Sequence, residues 1–547
     1  MTASLSTHRR LSPDGDGSAI ISQHAKLCAI ECLTEGNTVY LSENKTLRML
    51  TLCGLYLAQG VPWGFVTITF ASWLAEPEQG ITAQQLGPIL AVATLPWSFK
   101  FLWGPLIDRF TIRSLGRRRP WIIFAQSMAV LILGGMMLID DLPTLIWTEP
   151  AEGSGDWKFI FSLVPGPLAG LILLANIFIS LQDVAVDALA VDLLAENERG
   201  RANGLMYASN YLGTAIGGAG LGFIVSQYGI QAGLAGQAFL LAGIMLLPIC
   251  FRERPCVYKP IDEAEENLQA PVASSLKQAT QPKENEKPNS EHTATDGLPA
   301  GSLDWANSPY LPPTPIAERA LTQSTAETQQ RTGKTNSTSN VSKSVFANLF
   351  RAFSLRATLL GAVIALGVKI GSGAITVVLL DYLMKKGGWT QAQYTSVIGG
   401  WAVMLGLGGS IAGGFLADIF GPKRVMLAAS ITLGTLWISM GSIPGALNNQ
   451  NVATVLLLGQ ELLLALLSVS LFALFMSISW PRIAATQFTT YMAFLNLSTT
   501  IGSYSAGLLS SDYTATQILI FAGIVQALIV LPVLLIDPQQ ARRVLPD

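Results

Sequence analysis

The stretch Ser180–Asp192 reads SLQDVAVDALAVD and follows a run from Phe159 that is rich in Leu, Ile, Gly and Ala. On a helix, the spacing of four between Asp183 and Asp187 puts the two carboxylates about 40° apart on one face. Two close carboxylates do not both ionise easily, so such a pair can carry a proton or hold a cation. An ionised aspartate at the centre of a membrane helix costs about 2.5–3.5 kcal/mol on insertion scales, which makes intramembrane acids functional candidates by default. Asp192 lies about two turns beyond Asp187's face partner Asp183, next to Glu196, Glu198 and Arg199, where water is near.

A lone lysine in a later apolar run, Lys369 in ALGVKIGSG, is the expected cationic partner of Asp183 across a shared cavity. The alternative is a static ion pair that only specifies helix packing. Glu461, in GQELL, is a second candidate proton site, or else an acid facing water at a cavity mouth. Lys100 either reaches inward to water along its stem or serves the cavity. Gln59, Trp63, Gln182 and Gln487 offer hydrogen bonds or stacking within apolar runs, though such a residue alone more often packs than contacts a ligand.

The elements that must position these residues follow from composition. Half of the 547 residues are apolar and 13% are charged, against roughly 25% charged in soluble domains. A polytopic membrane protein is implied, all-α because helices satisfy their backbone groups internally. The formal net charge of −2 points away from a nucleic-acid partner. Five scattered cysteines give no disulfide framework, and C-x3-C at Cys28 and Cys32 lacks a second ligand pair for zinc. The three histidines, His8, His24 and His292, lie outside the apolar runs. No Walker loop, H-E-x-x-H or G-x-S-x-G occurs, so neither ATP drive nor hydrolytic catalysis is expected. No cofactor or metal is expected either.

Twelve apolar runs are long enough to cross a ~30 Å hydrocarbon core. Six lie near 47–75, 84–107, 119–140, 159–186, 201–226 and 232–251, and six near 355–384, 391–418, 423–442, 452–478, 484–508 and 514–536. The expected organisation is a flexible cytoplasmic extension over 1–46, a six-helix bundle over 47–251, a largely disordered cytoplasmic linker over 252–354, a second six-helix bundle over 355–536 and a cytoplasmic tail over 537–547. The linker, with KENEKPNSEHTATD and QQRTGKTNSTSNVSKS, is too polar to bury a core. If twelve spans alternate, the side facing away from the termini receives Lys158, Lys385 and Lys386, and nearly all other basic residues fall on the termini's side. The positive-inside rule then places both termini in the cytoplasm.

A motif recurs after the second span of each half. GPLIDRFTIRSLGRRR carries Gly104, Asp108, Arg109, Gly116, Arg117, Arg118 and Arg119; GFLADIFGPKR carries Gly414, Asp418, Gly421, Lys423 and Arg424. Recurrence at equivalent positions marks an internal duplication. The motif resembles the signature loop of the major facilitator superfamily, and ERGRANG, with Arg199, is similar to that superfamily's loop after the fourth span. Acids here can neutralise helix N-termini, and the arginines can bind carboxylates across the seam between halves, making and breaking contacts as a gate.

Four further stretches narrow the resemblance. FKFLWGPLIDR, QDVAVDALAVD, GVKIG and RIAATQFTTYMAF resemble segments of the muropeptide permease family and its relatives, the acetyl-coenzyme A transporters, in the expected order; GLYLAQGVPWG and GQELL add weaker matches. The resemblance implies a major facilitator fold of two six-helix bundles working by alternating access. It implies a large polar or anionic solute: a muropeptide-like amino-sugar peptide first, then acetyl-coenzyme A, then a folate- or pterin-like molecule. The expected partners are that solute, a proton and the lipid bilayer, with the protein a monomer in the inner membrane if the cell is bacterial. A non-transporting receptor or scaffold is the competing class, and no nucleophile–base cluster supports a membrane enzyme.

Overall fold

In the computed structural model, residues 40–109, 116–146, 164–194, 198–254 and 348–545 are described. Residues 1–39 of the N-terminal extension and nearly all of the expected linker lie outside them, as do Cys28, Cys32 and the three histidines.

The described residues fold into twelve long helical segments: α1 (Lys45–Leu74), α2 (Ala83–Ile107), α3 (Arg119–Met137), α4 (Pro167–Leu193), α5 (residues 199–228), α6 (Ile230–Cys250), α7 (Arg356–Lys385), α8 (Gln391–Phe420), α9 (Pro422–Ser442), α10 (Gln450–Ile478), α11 (Ala484–Leu509) and α12 (Ala515–Leu535). Ten of these are long and apolar enough to cross a membrane; α5 and α11 are not among them. The expectation of twelve apolar spans is thus met by twelve helices, two of which are too rich in Gly, Ser, Thr, Asn and Tyr. These two pack against protein rather than standing alone: α5 lies along α1, and α11 along α2 and α7. The fourth helix starts at Pro167, later than the apolar run that announced it, because Gly166 (φ +95°) turns the chain and Pro167 opens the helix.

Close backbone approach builds the α1–α5 contact. A Cβ added at Gly60 or Gly64 would meet the Asn210 or Thr214 carbonyl at 2.1 and 2.2 Å, and one at Gly213 or Gly217 would meet those of Leu57 or Val61 at 2.3 and 2.1 Å. Two facing small-xxx-small pairs let helices associate where lipid supplies no hydrophobic drive. Both helices then carry a π-helical turn, Phe65–Phe70 in α1 and Ile216–Gly220 in α5, and α8 carries a third, Ser396–Ala402. The three turns touch one another. Thr69 Oγ1 lies 2.7 Å from both the Gly217 and Gly218 carbonyls, so its one proton is shared between the two.

The two six-helix sets meet tightly at the end where α1 turns into α2 and α7 into α8. There a Cβ on Gly87 of α2 would stand 2.6 Å from the Ser503 carbonyl of α11, and one on Gly399 of α8 would stand 2.4 Å from the Ala219 amide of α5. Thr94 and Thr500 hydroxyls join α2 to α11 at 2.9 Å, and Asn496 Nδ2 donates to the Trp97 carbonyl at 3.3 Å. At the same end Lys385 of α7, ion-paired with Asp381, donates to the Ile81 carbonyl between α1 and α2.

Candidate functional site

Both intramembrane lysines sit where their helix is interrupted. Helix α2 runs regularly from Ala83 to Ser98, tightens into a 3-10 turn at Lys100–Leu102 and resumes at Trp103. Pro105 supplies the cause, since its ring clashes with the carbonyl four residues back and offers no N–H. Helix α7 breaks at Val368–Lys369, between Arg356–Gly367 and Ile370–Lys385. There the Lys369 backbone N–H leaves the helical ladder and donates to Ser498 Oγ of α11 at 3.0 Å.

In the N-terminal half, Lys100 Nζ stands 3.4 Å from Asp183 Oδ2 of α4. One turn along α4, Asp187 accepts a hydrogen bond from the Tyr56 hydroxyl of α1. Tyr207 of α5 packs edge-on against Tyr56, with ring centroids 6.1 Å apart. The Lys100 and Asp183 side chains keep 22% and 16% of their surface accessible, so the pair is neither sealed nor fully solvated. On the adjoining face Trp103 Nε1 donates to Ser180 Oγ at 3.0 Å, fixing α2 against α4. Gln59 and Gln182 are buried, and the Nε2 of each lacks a hydrogen-bond partner among the described residues. Trp63 stacks edge-to-face on Trp97, centroids 5.3 Å apart.

In the C-terminal half, Lys369 Nζ meets Ser468 Oγ of α10 at 2.9 Å. Glu461, two turns along α10 from Ser468, acts on Lys369 through space. The expected Asp183–Lys369 pair across the halves is therefore replaced by two separate clusters. The reason is the break in α2: the turn at Lys100 delivers an amine to Asp183 from within the same half, which sequence spacing alone does not reveal. Gln487 is taken by internal bonds, accepting from the Trp480 N–H at 2.9 Å and donating to the Tyr491 hydroxyl at 3.3 Å, and is fully buried.

The signature-loop arginines also find partners within their own half. Glu253, just after α6, accepts the backbone N–H groups of Arg117, Arg118 and Arg119 at 2.9, 2.7 and 2.5 Å. A carboxylate there satisfies the orphan donors at the start of α3 and complements its dipole. Gly116 makes room with φ +102°, a Cβ there standing 2.9 Å from the Glu253 carboxyl. In return the Arg119 guanidinium donates to the Pro248 and Ile249 carbonyls at the end of α6, and Arg118 Nε meets Asp192 of α4 at 2.9 Å. In the arrangement described, these contacts form a clamp on α3, α4 and α6. Glu198 is held by Lys45 at 2.6 Å and Arg48 at 2.7 Å; the Lys45 hydrogen bond leads in keeping its carboxyl below the usual range.

Of the remaining loop residues, Gly104 and Gly414 have open space where a Cβ would project, and Arg109 closes α2's last turn. Asp418 and Arg424 are exposed, Gly421 turns the chain between α8 and α9 with φ +82°, and Lys423 donates to the Ile536 carbonyl. The side chains of Asp108 and Arg199 lie outside the described residues. Sequence reading missed Glu253, Tyr56, Tyr207, Ser468 and Ser498. Tyr56, in the quoted GLYLAQGVPWG, was within reach, for a phenol in an apolar run needs a partner.

Twelve helices in two repeated sets, with acids and amines inside apolar segments, define an integral membrane protein of the major facilitator fold. Its solved likenesses agree: a POT family transporter in complex with 5-aminolevulinic acid has TM-score 0.57 at 13% identity, covering 90% of this chain and 96% of that one. A D-xylose-proton symporter has TM-score 0.56 at 13% identity, covering 89% and 97%. Residues 48–229 match the family model described as acetyl-coenzyme A transporter 1, a segment that holds the whole Tyr56–Lys100–Asp183–Asp187–Tyr207 cluster. Over 240 residues the chain is 25% identical to the anhydromuropeptide permease of Escherichia coli (strain K12), covering 44% of this chain and 42% of that protein. It is 37% identical over 95 residues to an uncharacterized membrane protein of Saccharomyces cerevisiae, covering 17% and 16%. The chain spans under half the length of the curated permeases it matches. Over these parts of its length the chain is similar to muropeptide permeases and to the acetyl-coenzyme A transporter family model.

Proposed function

We propose that the protein is a secondary transporter that couples proton movement to the passage of a large polar or anionic solute by alternating access. The observation that carries this reading is the solvent-reachable Lys100–Asp183 pair, with Tyr56–Asp187 beside it, at the meeting of α1, α2 and α4. Asp183 and Asp187 carry the proton in turn, and Lys100 is the counter-cation that competes with it. Glu461 is a reserve acid in the other half, and Gln59, Gln182 and the Trp63–Trp97 pair offer solute contacts.

A muropeptide-like amino-sugar peptide is the favoured solute, because the match to the anhydromuropeptide permease is the longer of the two; acetyl-coenzyme A is the second reading, favoured by the family model. Both termini and the 252–354 linker lie in the cytoplasm, and the bundles are 47–251 and 355–536. The tight Gly87–α11 and Gly399–α5 contacts then lie at the outer face, as a conformation closed to the outside requires. The protein works as a monomer, Asp108 and the α8–α9 loop completing the gate.

The test is uptake of labelled anhydromuropeptide and of acetyl-coenzyme A into proteoliposomes, with and without an imposed pH gradient. Accumulation that the gradient drives supports the reading. Absence of flux for either solute rejects the solute assignment, and a receptor or scaffold then becomes the better account.

A further inference from the structure

The two intramembrane lysines occupy unlike surroundings. Lys100 faces two acids, with Asp183 in contact and Asp187 one turn away. Lys369 faces hydroxyls. Its ammonium donates to Ser468 Oγ at 2.9 Å, its backbone N–H to Ser498 Oγ at 3.0 Å, and its carbonyl accepts from Ser372 Oγ at 3.0 Å. Among the described residues no carboxylate stands within ion-pair distance of Lys369 Nζ; Glu461 is displaced about 10 Å along α10 from Ser468 by the rise of seven residues. An ammonium has three protons to donate; Ser468 Oγ, which itself donates to the Leu464 carbonyl at 2.7 Å, accepts one of them, and no ion pair within contact distance takes the rest.

The backbone holds this amine in place. Gly502 of α11 approaches so closely that a Cβ there would stand 2.2 Å from the Ile370 carbonyl. The α7 break is therefore pinned against α11, and the second stretch of α7 starts beside the ammonium with its partly positive end. The geometry points to a carboxylate-binding subsite at Lys369, beside Ser468, in which the solute's acid group makes the ion pair that no carboxylate of the described residues makes. This rests on the transport reading and adds to it a division of labour: solute anion in the C-terminal half, proton in the N-terminal half. A single ammonium among hydroxyls suits a monoanionic carboxylate. A pyrophosphate, with at least two charges, is matched better by arginine forks or several cations.

The test uses the full-length protein in detergent and measures binding of labelled anhydromuropeptide and of the same compound with its peptide carboxylates converted to amides. Wild type is expected to favour the acid over the amide by about ten-fold, as one charge-assisted hydrogen bond allows. Lys369→Met is expected to abolish that preference, and Lys369→Arg to restore part of it. Equal preference in wild type and Lys369→Met overturns the subsite, as does Lys369-dependent binding confined to acetyl-coenzyme A. Should Lys369→Met not fold, acetylation of Lys369 in wild type by acetic anhydride, read by mass spectrometry, replaces it: protection by the acid and not by the amide supports the subsite, and equal labelling overturns it. Lys369-dependent binding without flux in liposomes rejects transport and leaves the subsite standing.

Discussion

Lys100 and Asp183 face each other at 3.4 Å from neighbouring helices of one half, at a break that a proline imposes on α2. The pair neutralises an amine and an acid that neither helix could hold alone in an apolar slab. It also places the proton-carrying candidates in the segment that the family model matches.

Asp183→Asn removes the carboxylate and keeps its shape. Uptake driven by a pH gradient in proteoliposomes is expected to fall by about ten-fold or more, since the variant cannot bind and release a proton there. Unchanged gradient-driven accumulation rejects Asp183 as a carrier.

Lys100→Met leaves Asp183 uncompensated and is expected to lower stability by up to about 3 kcal/mol, near the lower bound for breaking a buried pair because both groups stay partly accessible. The double variant Lys100→Met/Asp183→Asn is expected to recover most of that loss. Thermal unfolding followed by size-exclusion chromatography reads both; additive losses in the double variant contradict the pairing.

Glu253→Ala strips the cap from the start of α3 and is expected to cost about 1–3 kcal/mol. Glu253→Gln, which can still accept hydrogen bonds but carries no charge, should lose less. A midpoint shift of the same size in both variants would show that charge alone, and not the shape of the side chain, holds the clamp.

Gly399→Leu places a side chain where the α5 backbone already lies, so the seam between the two six-helix sets cannot close there. A cysteine introduced by Thr94→Cys at that seam is expected to become reactive to a membrane-impermeant maleimide in the Gly399→Leu background and to stay protected with Gly399 present. Equal labelling in both backgrounds contradicts the role given to this contact.

Glu76, outside the spans after α1, gives a pH signature. Burial first, and then the charge of Glu78, push its carboxyl up to about 6. The folded chain holds that proton more tightly than the unfolded chain, so the group's contribution is whole below about 4.3 and is lost as pH rises through about 6. Glu76→Gln is expected to flatten the dependence of the unfolding midpoint across that window; parallel curves for wild type and variant would exclude Glu76 as its source.

Composition and hydropathy by themselves determined a chain of apolar helices in two repeated halves, because a bilayer admits few other ways to satisfy a backbone. The paired G-x-x-x-D motifs marked the duplication, and the acids of SLQDVAVDALAVD were visible because charge inside an apolar run is conspicuous. Only the tertiary structure decided which amine meets which acid. A helix break rotates and shifts everything beyond it, so Lys100 turned to Asp183 while Lys369 stayed with Ser468. Glu253 was invisible for a related reason: its partners are backbone N–H groups, which carry no side-chain identity to read. The α5 and α11 helices show the same limit, for their polar faces became sensible only once the helices that cover them were in place.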